Sequence, residues 1–256
     1  MSQFTLIFTH YLKRAFRHPV NLLIYIALPL GLAALNMLGA VGMVELTEGA
    51  DAVTETTAMA TFLTMLFMVA FQFFSGEQLI YNIFDDLNQG DMRWRLAATP
   101  VPKRAFVNGI VAAGWTFNII QGIVIVGVMA LAFGIYWGNL LILVSVFLLV
   151  SVMSQLLAAL IALLSKTRKT ATIVSNIICF GMMLLSGTLF IPLGDSPVAE
   201  FVMQYSSPLP IAFRAILYTT PVLDNMNQAI INLGILVAVT VVLAGAVMAV
   251  GRRRKA

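Results

Sequence analysis

Read for apolar and polar positions, the chain is a series of six long apolar runs separated by short polar or irregular connections. The runs cover 20–44, 58–80, 110–133, 140–164, 171–190 and 230–250. Each is long enough to cross a hydrocarbon core about 30 Å thick, which takes about 20 residues of helix. A helix is the form that satisfies its backbone within one segment in lipid. Together the runs hold no Lys, Arg, His or Asp and a single Glu, Glu77. The pattern therefore predicts an all-α integral membrane protein with six transmembrane helices. The first run is longer than the roughly 7–15 apolar residues of a secretory signal, so it is read as an uncleaved span.

Two flanking segments break this pattern. In residues 1–19, Phe4, Ile7, Phe8, Tyr11, Leu12, Ala15 and Phe16 follow helical spacing, while Gln3, His10, Lys13, Arg14 and Arg17 fall opposite. Such a helix lies in the membrane surface and ends before Pro19; an ordinary basic flank is the alternative. In residues 191–229, Pro192, Pro197, Pro208, Pro210 and Pro221 divide an amphiphilic stretch too broken to span. Short helices dipping back into the outer leaflet would house its apolar residues, whereas a structureless loop of that length is unusual. With no internal repeat or low-complexity linker, residues 1–256 read as one membrane domain.

Composition sharpens the membrane assignment: 60% of the residues are hydrophobic and 10% charged, with mean hydropathy +0.95, against about 25% charged in soluble domains. The distribution of bases gives a topology. Lys13, Arg14 and Arg17 precede the first run; Arg93, Arg95, Lys103 and Arg104 lie in the second connection. Lys166, Arg168 and Lys169 lie in the fourth, and Arg252, Arg253, Arg254 and Lys255 close the chain. Arg214 is the exception. The first connection carries Glu45, Glu48, Asp51 and Glu55 with no base, and the third is a tight turn with Tyr136 and Trp137 suited to a headgroup belt. By the positive-inside rule, both termini are expected in the cytoplasm. The net charge of +4 then reflects topology and contact with anionic membrane lipids, with no need for nucleic acid. One cysteine, Cys179, leaves no disulfide or Cys/His metal set, so no metal is expected.

One island stands out. "DDLNQGDMRWRLAATPVPKR", residues 85–104, keeps three acids and four bases together with Trp94. A loop that touched only lipid headgroups would be basic; mixed charge around an aromatic suits a protein partner. Gly90 and Pro100 bracket a possible short helix, with a solvated turn as the alternative. The run "RLAATPVPKRAFVNG", set between spans two and three, resembles the permease subunit of type-2 ABC transporters, the transmembrane subunit of a bacterial ABC exporter. Asp85-Asp86 departs from the Arg-Glu type of pair frequent there. The resemblance extends to the order of elements along the whole chain: surface helix, six spans, acidic first external loop and broken segment before span six. It implies that 81–109 is a cytoplasmic coupling region docking on an ATPase subunit, with Asp85, Asp86, Asp91 and Met92 among the contacts. Arg93, Trp94, Arg95, Leu96, Thr99 and Pro100 complete that expected surface.

No Gly-x-x-x-x-Gly-Lys-Ser/Thr loop occurs, so the chain is expected to be no enzyme and to hold no cofactor itself. The resemblance implies that ATP and Mg are bound by partner ABC ATPase subunits, and that a second permease copy or a sister permease completes the core. The expected function is outward movement of an amphiphilic cargo: a drug, an antimicrobial peptide or a lipid-like molecule. Within the spans, Phe67, Phe71, Gln72, Asn118, Gln121 and Asn176 are candidates for the substrate pathway. Amides left unpaired in lipid are costly, so these must face protein or a path, and interhelical hydrogen bonding is the plainer reading. Glu77 is a gating candidate because an ionisable group in a span marks function by default, although it lies near a helix end and can reach water or a base. A polysaccharide-exporting permease is a variant. An ion- or proton-coupled secondary transporter is the alternative class, and it would ordinarily need several ionisable groups near the midplane.

Overall fold

A computed structural model of the chain describes residues 3–46, 50–84, 103–185, 201, 205–220 and 223–253, with the side chains of 40–60, 103–104 and 253 left outside the description. Among the described residues it is all-helical. Six helical stretches are long and apolar enough to span a membrane: Pro19–Gly39, Thr61–Asn82, Ala105–Phe133, Leu140–Leu164, Arg168–Leu185 and Met226–Arg252.

The first helix, α1 (Gln3–Arg17), is amphipathic as the pattern predicts. It buries Ile7 and Tyr11 and keeps its bases outward. Both buried residues belong to a cluster with Phe106 and Ile110, and Tyr11 meets the edge of Phe106 at 5.8 Å. Gly109 makes the approach possible, since a Cβ there would lie 2.6 Å from Ile7 Cγ2. Thus α1 is clamped onto the start of α6 (Lys103–Phe133).

The chain then turns inward through α2 (Pro19–Leu22), a π-helical segment Leu23–Ala27 and α3 (Leu28–Leu46). The wide turn precedes Pro29, which has no N–H and whose ring crowds the carbonyl four residues earlier. In the π segment the Leu28 N–H reaches back to the Leu23 carbonyl.

The second span is where the structure departs from an uninterrupted run. It consists of α4 (Ala50–Phe74) and α5 (Glu77–Asn82), broken at Ser75-Gly76. The reason is tertiary. The Gly76 Cα sits against α7 (Leu140–Leu164), where a Cβ would fall 2.5 Å from the Ser154 carbonyl oxygen. The carbonyls loosened by the break find side-chain donors. Ser154 Oγ donates to the Phe73 oxygen at 2.7 Å, and Ser75 Oγ to the Gln72 oxygen at 2.6 Å. Kinks of this kind arise at Gly/Ser pairs and where a side chain enters the ladder. This span is the centre of the bundle: 78% of its most apolar window is buried, against 6% for the last span.

The bounds of α7 match the sequence reading because both ends are chemically marked. Asn139 caps it, its Oδ1 accepting from the Leu141 N–H at 2.9 Å, and Ser165 ends it. Removing that cap by Asn139→Ala is expected to lower stability by about 1 kcal/mol, seen as a lower unfolding temperature in detergent. The turn before it folds back onto α9 (Pro208–Leu217): Gly134 and Gly138 take positive φ of 65° and 71°, and the Asn139 N–H donates to Thr219 Oγ1 at 2.9 Å. Tyr136 stays exposed, but Trp137 is buried in the main core and so does not join a headgroup belt.

The remaining elements are α8 (Arg168–Leu185), α9 and α10 (Met226–Arg253). From Leu209 to Leu217 every residue of α9 is buried except Arg214, which is only half-buried. It packs against α4, α7 and α10.

Candidate functional site

Of the interior amides that the apolar pattern marks as costly, Gln72, Asn118 and Gln121 fall into one polar seam between α4, α6 and α7. Gln72, Asn118 and Gln121 are all at most 1% exposed. On α6, Gly114, Asn118, Gln121 and Gly122 recur at helical spacing; on α7 the matching stripe is Phe147, Ser151, Ser154 and Gln155. Gln72 Nε2 donates to the Phe147 carbonyl oxygen at 3.2 Å and to Ser151 Oγ at 2.9 Å. Ser75 Oγ meets Asn118 Oδ1 as well as the Gln72 carbonyl. A hydroxyl has one proton to give; with the Asn118 amide turned so that its NH2 faces Ser75, the chain of bonds closes.

The seam is only partly satisfied. Gln72 Oε1 and both amide atoms of Gln121 and of Gln155 find no partner among the described residues. Small residues let the helices approach there: a Cβ on Gly114 would stand 3.0 Å from either amide atom of Gln155, and one on Gly122 would stand 3.0 Å from Phe147. A buried unpaired amide costs about 1–3 kcal/mol, less in a membrane, where alternatives also find partners. Gln121→Leu is therefore expected to raise stability by about 1 kcal/mol, measured as a higher unfolding temperature of the purified chain. A lower temperature would mean that the amide has a partner that apolar carbon cannot replace.

Glu77 opens α5 directly after the break, half-buried. The Tyr81 hydroxyl donates to its Oε1 at 2.9 Å, and the Arg168 guanidinium stands over the Tyr81 ring at 4.4 Å from its centre. Glu77 is thus held at the base-rich end of the bundle by a phenol and a nearby cation, and it makes none of the seam's hydrogen bonds.

Phe67 and Phe71 occupy a different face. From Leu63 to Phe74 only Phe67, Phe71 and Phe74 are not buried, so this aromatic stripe is the open flank of an otherwise enclosed helix. Phe74 lies edge-on to Phe180 of α8 at 5.5 Å, and Phe180 is 54% exposed. Asn176, also on α8, is half-buried and makes none of the seam's hydrogen bonds. The structure therefore separates the predicted pathway residues into a closed seam (Gln72, Asn118, Gln121) and an open aromatic flank (Phe67, Phe71). Ser151 and Ser154, which complete the seam, escape sequence reading because a helical serine satisfies itself cheaply and carries no sign of a distant partner. The expected coupling residues, Asp85, Asp86, Asp91, Met92, Arg93, Trp94, Arg95, Leu96, Thr99 and Pro100, lie outside the described residues.

Compared with known proteins, residues 22–249 match the family model described as "ABC-2 family transporter protein". No curated protein and no solved structure matches the chain.

Proposed function

The chain belongs to the ABC-2 family of transporter membrane proteins, a multi-pass permease without an ATPase site of its own, and from that premise we propose that it carries an amphiphilic cargo outward. ABC permeases work with ATPase subunits. In this reading ATP and Mg bind on those partners, and the island at 85–104 is where their movement enters the membrane. The single observation that carries the cargo assignment is the open flank of α4. Its Phe67, Phe71 and Phe74 are only partly buried, near exposed Phe180, while the rest of the helix from Leu63 to Phe74 is buried. An aromatic face of this kind, lacking charge, favours drug-like, peptide-like or lipid-like molecules over ions. It also suits the surface that two permeases, two copies of this chain or this chain and a sister subunit, would turn toward one another across a path. The charge pattern supports a cytoplasmic location for both termini, which would put the island on the ATPase side.

Affinity purification from native membranes in a gentle detergent tests this. A P-loop ATPase is expected to co-purify with the chain. Recovery of intact permease with no ATPase would overturn the reading, and the secondary-transporter alternative with Glu77 at its centre would take its place.

A further inference from the structure

Where α1, the start of α2, α5 and the start of α8 meet, a cavity of about 290 Å³ opens at the base-rich end of the bundle. Arg14, His18, Asn21, Gln78, Asn82 and Arg168 supply its polar lining, and among the described residues no carboxylate lines it. Glu77 lies outside the lining, where it accepts from the Tyr81 hydroxyl one turn away and also feels the charge of Arg168.

Three features mark a built site. Gln78 is 7% exposed, yet its Nε2 finds no acceptor among the described residues, so a buried donor is left over at the wall of a cavity. Arg168 stands over the Tyr81 ring, its Cζ 4.4 Å from the ring centre, which restrains its guanidinium at the cavity wall. Asn21 reaches from α2 to the Ala15 carbonyl oxygen at 3.5 Å, joining the end of α1 to the entering helix. Two guanidinium groups with neutral amide donors are the set that recognises phosphate oxygens in a forked geometry. The volume, at the low end of the roughly 300–1,000 Å³ of ligand clefts, suits a headgroup better than a whole cargo molecule. Val20 forms part of the wall at 51% exposure, and exposed Leu23 and Ile24 continue from it along the outside of the bundle. That apolar track is where acyl chains would lie.

We propose that this cavity binds the phosphodiester headgroup of an anionic phospholipid, with Arg14 and Arg168 on the phosphate and Gln78 donating its Nε2 N–H. The assignment needs only that the chain spans a bilayer, and it stands apart from the coupling reading. Its effect would be to fix α1 against α5 and α8 at the membrane surface.

Native mass spectrometry of the full chain in detergent tests it, with dioleoylphosphatidylglycerol and dioleoylphosphatidylcholine as probes. One phosphatidylglycerol is expected to be retained about tenfold more strongly than phosphatidylcholine, because only it carries a net negative headgroup. Arg14→Gln with Arg168→Gln should remove about tenfold of that retention. Lys13→Gln with Arg17→Gln, an equal loss of charge from exposed positions of α1 outside the lining, should leave it within about twofold. Equal retention of the two lipids, unchanged retention in the Arg14/Arg168 variant, or an equal loss in the Lys13/Arg17 variant would each overturn the site. Displacement of the lipid by millimolar inorganic phosphate would overturn the lipid as its ligand and leave a site for free phosphate. Should the double variant not fold, Arg14→Gln alone, at an exposed position, is expected to lose about threefold, and no loss there would overturn the proposal equally.

Discussion

Gly76→Val is expected to cost about 3 kcal/mol or more and to leave little folded protein. The position has no room for a side chain: a Cβ would meet Ser154 Oγ and lie 2.5 Å from the Ser154 carbonyl oxygen and 2.9 Å from its carbonyl carbon. A flexible side chain can swing aside, but backbone atoms of a packed helix move only if α4 and α7 separate. Separation would break the Ser154 hydroxyl's bond to the Phe73 carbonyl and loosen the Gln72 bonds to Phe147 and Ser151, which lie along the same contact. Unfolding of the purified variant in detergent, followed by tryptophan fluorescence, measures the loss. A variant with wild-type stability would show that the two helices do not meet at Gly76. Gly127 provides the control: nothing lies within 4 Å of its added Cβ, so Gly127→Ala should be tolerated.

Reversing both bases around Trp94, Arg93→Glu with Arg95→Glu, is expected to release the ATPase from the purified complex while leaving the permease intact. The island's three acids, Asp85, Asp86 and Asp91, precede its four bases, so a partner that matches them must present complementary charges. Placing like charges opposite one another costs several kcal/mol, or roughly a hundredfold or more in affinity. The residues lie outside the apolar runs, so insertion and packing of the spans should not change. The ratio of ATPase to permease on a denaturing gel after affinity purification reads the outcome. Retention of the ATPase at the wild-type ratio would move the docking surface away from these two bases.

What the sequence makes legible follows from where each energy term resides. The span 140–164 is readable to its last residue because Asn139 and Ser165 mark its ends locally, one as a cap and the other as the first polar break. The buried face of α1 is readable because Ile7 and Tyr11 lie on one side of a short amphipathic pattern. The break in the second span is not, since an apolar run through Ser75-Gly76 looks continuous until Ser154, far along the chain, is known to press on it. Trp137 misleads for a related reason: an aromatic in a tight turn ordinarily sits at the headgroups, and only the contact of Gly138 and Asn139 with Thr219 turns it inward. Among the candidate residues, Gln72, Asn118 and Gln121 announce that they need protein around them, because an amide in lipid has no cheaper resort. Nothing local says that they share one seam while Asn176 and the phenylalanines lie elsewhere. Gln78, the leftover donor at the cavity wall, gives no sign at all beside the more conspicuous Glu77.

The length of α6 has a mechanical consequence. Its 31 residues make a rod about 46 Å long, about 16 Å more than the hydrocarbon it crosses. It begins at Lys103, within the last residues of the island, and α1 is braced against its first turns through Ile7 on Gly109 and Tyr11 on Phe106. A thrust applied at 85–102 therefore acts on a stiffened overhang and turns the rod about its contact with α7. That fulcrum is the stretch of α6 holding Gly114, Asn118, Gln121 and Gly122, where, among the described residues, the amides of Gln121 and of the facing Gln155 have no bond to lose and only Asn118 has one, to Ser75. Sliding there sacrifices little, and the same unpaired groups that weaken the resting arrangement make it a low-friction bearing.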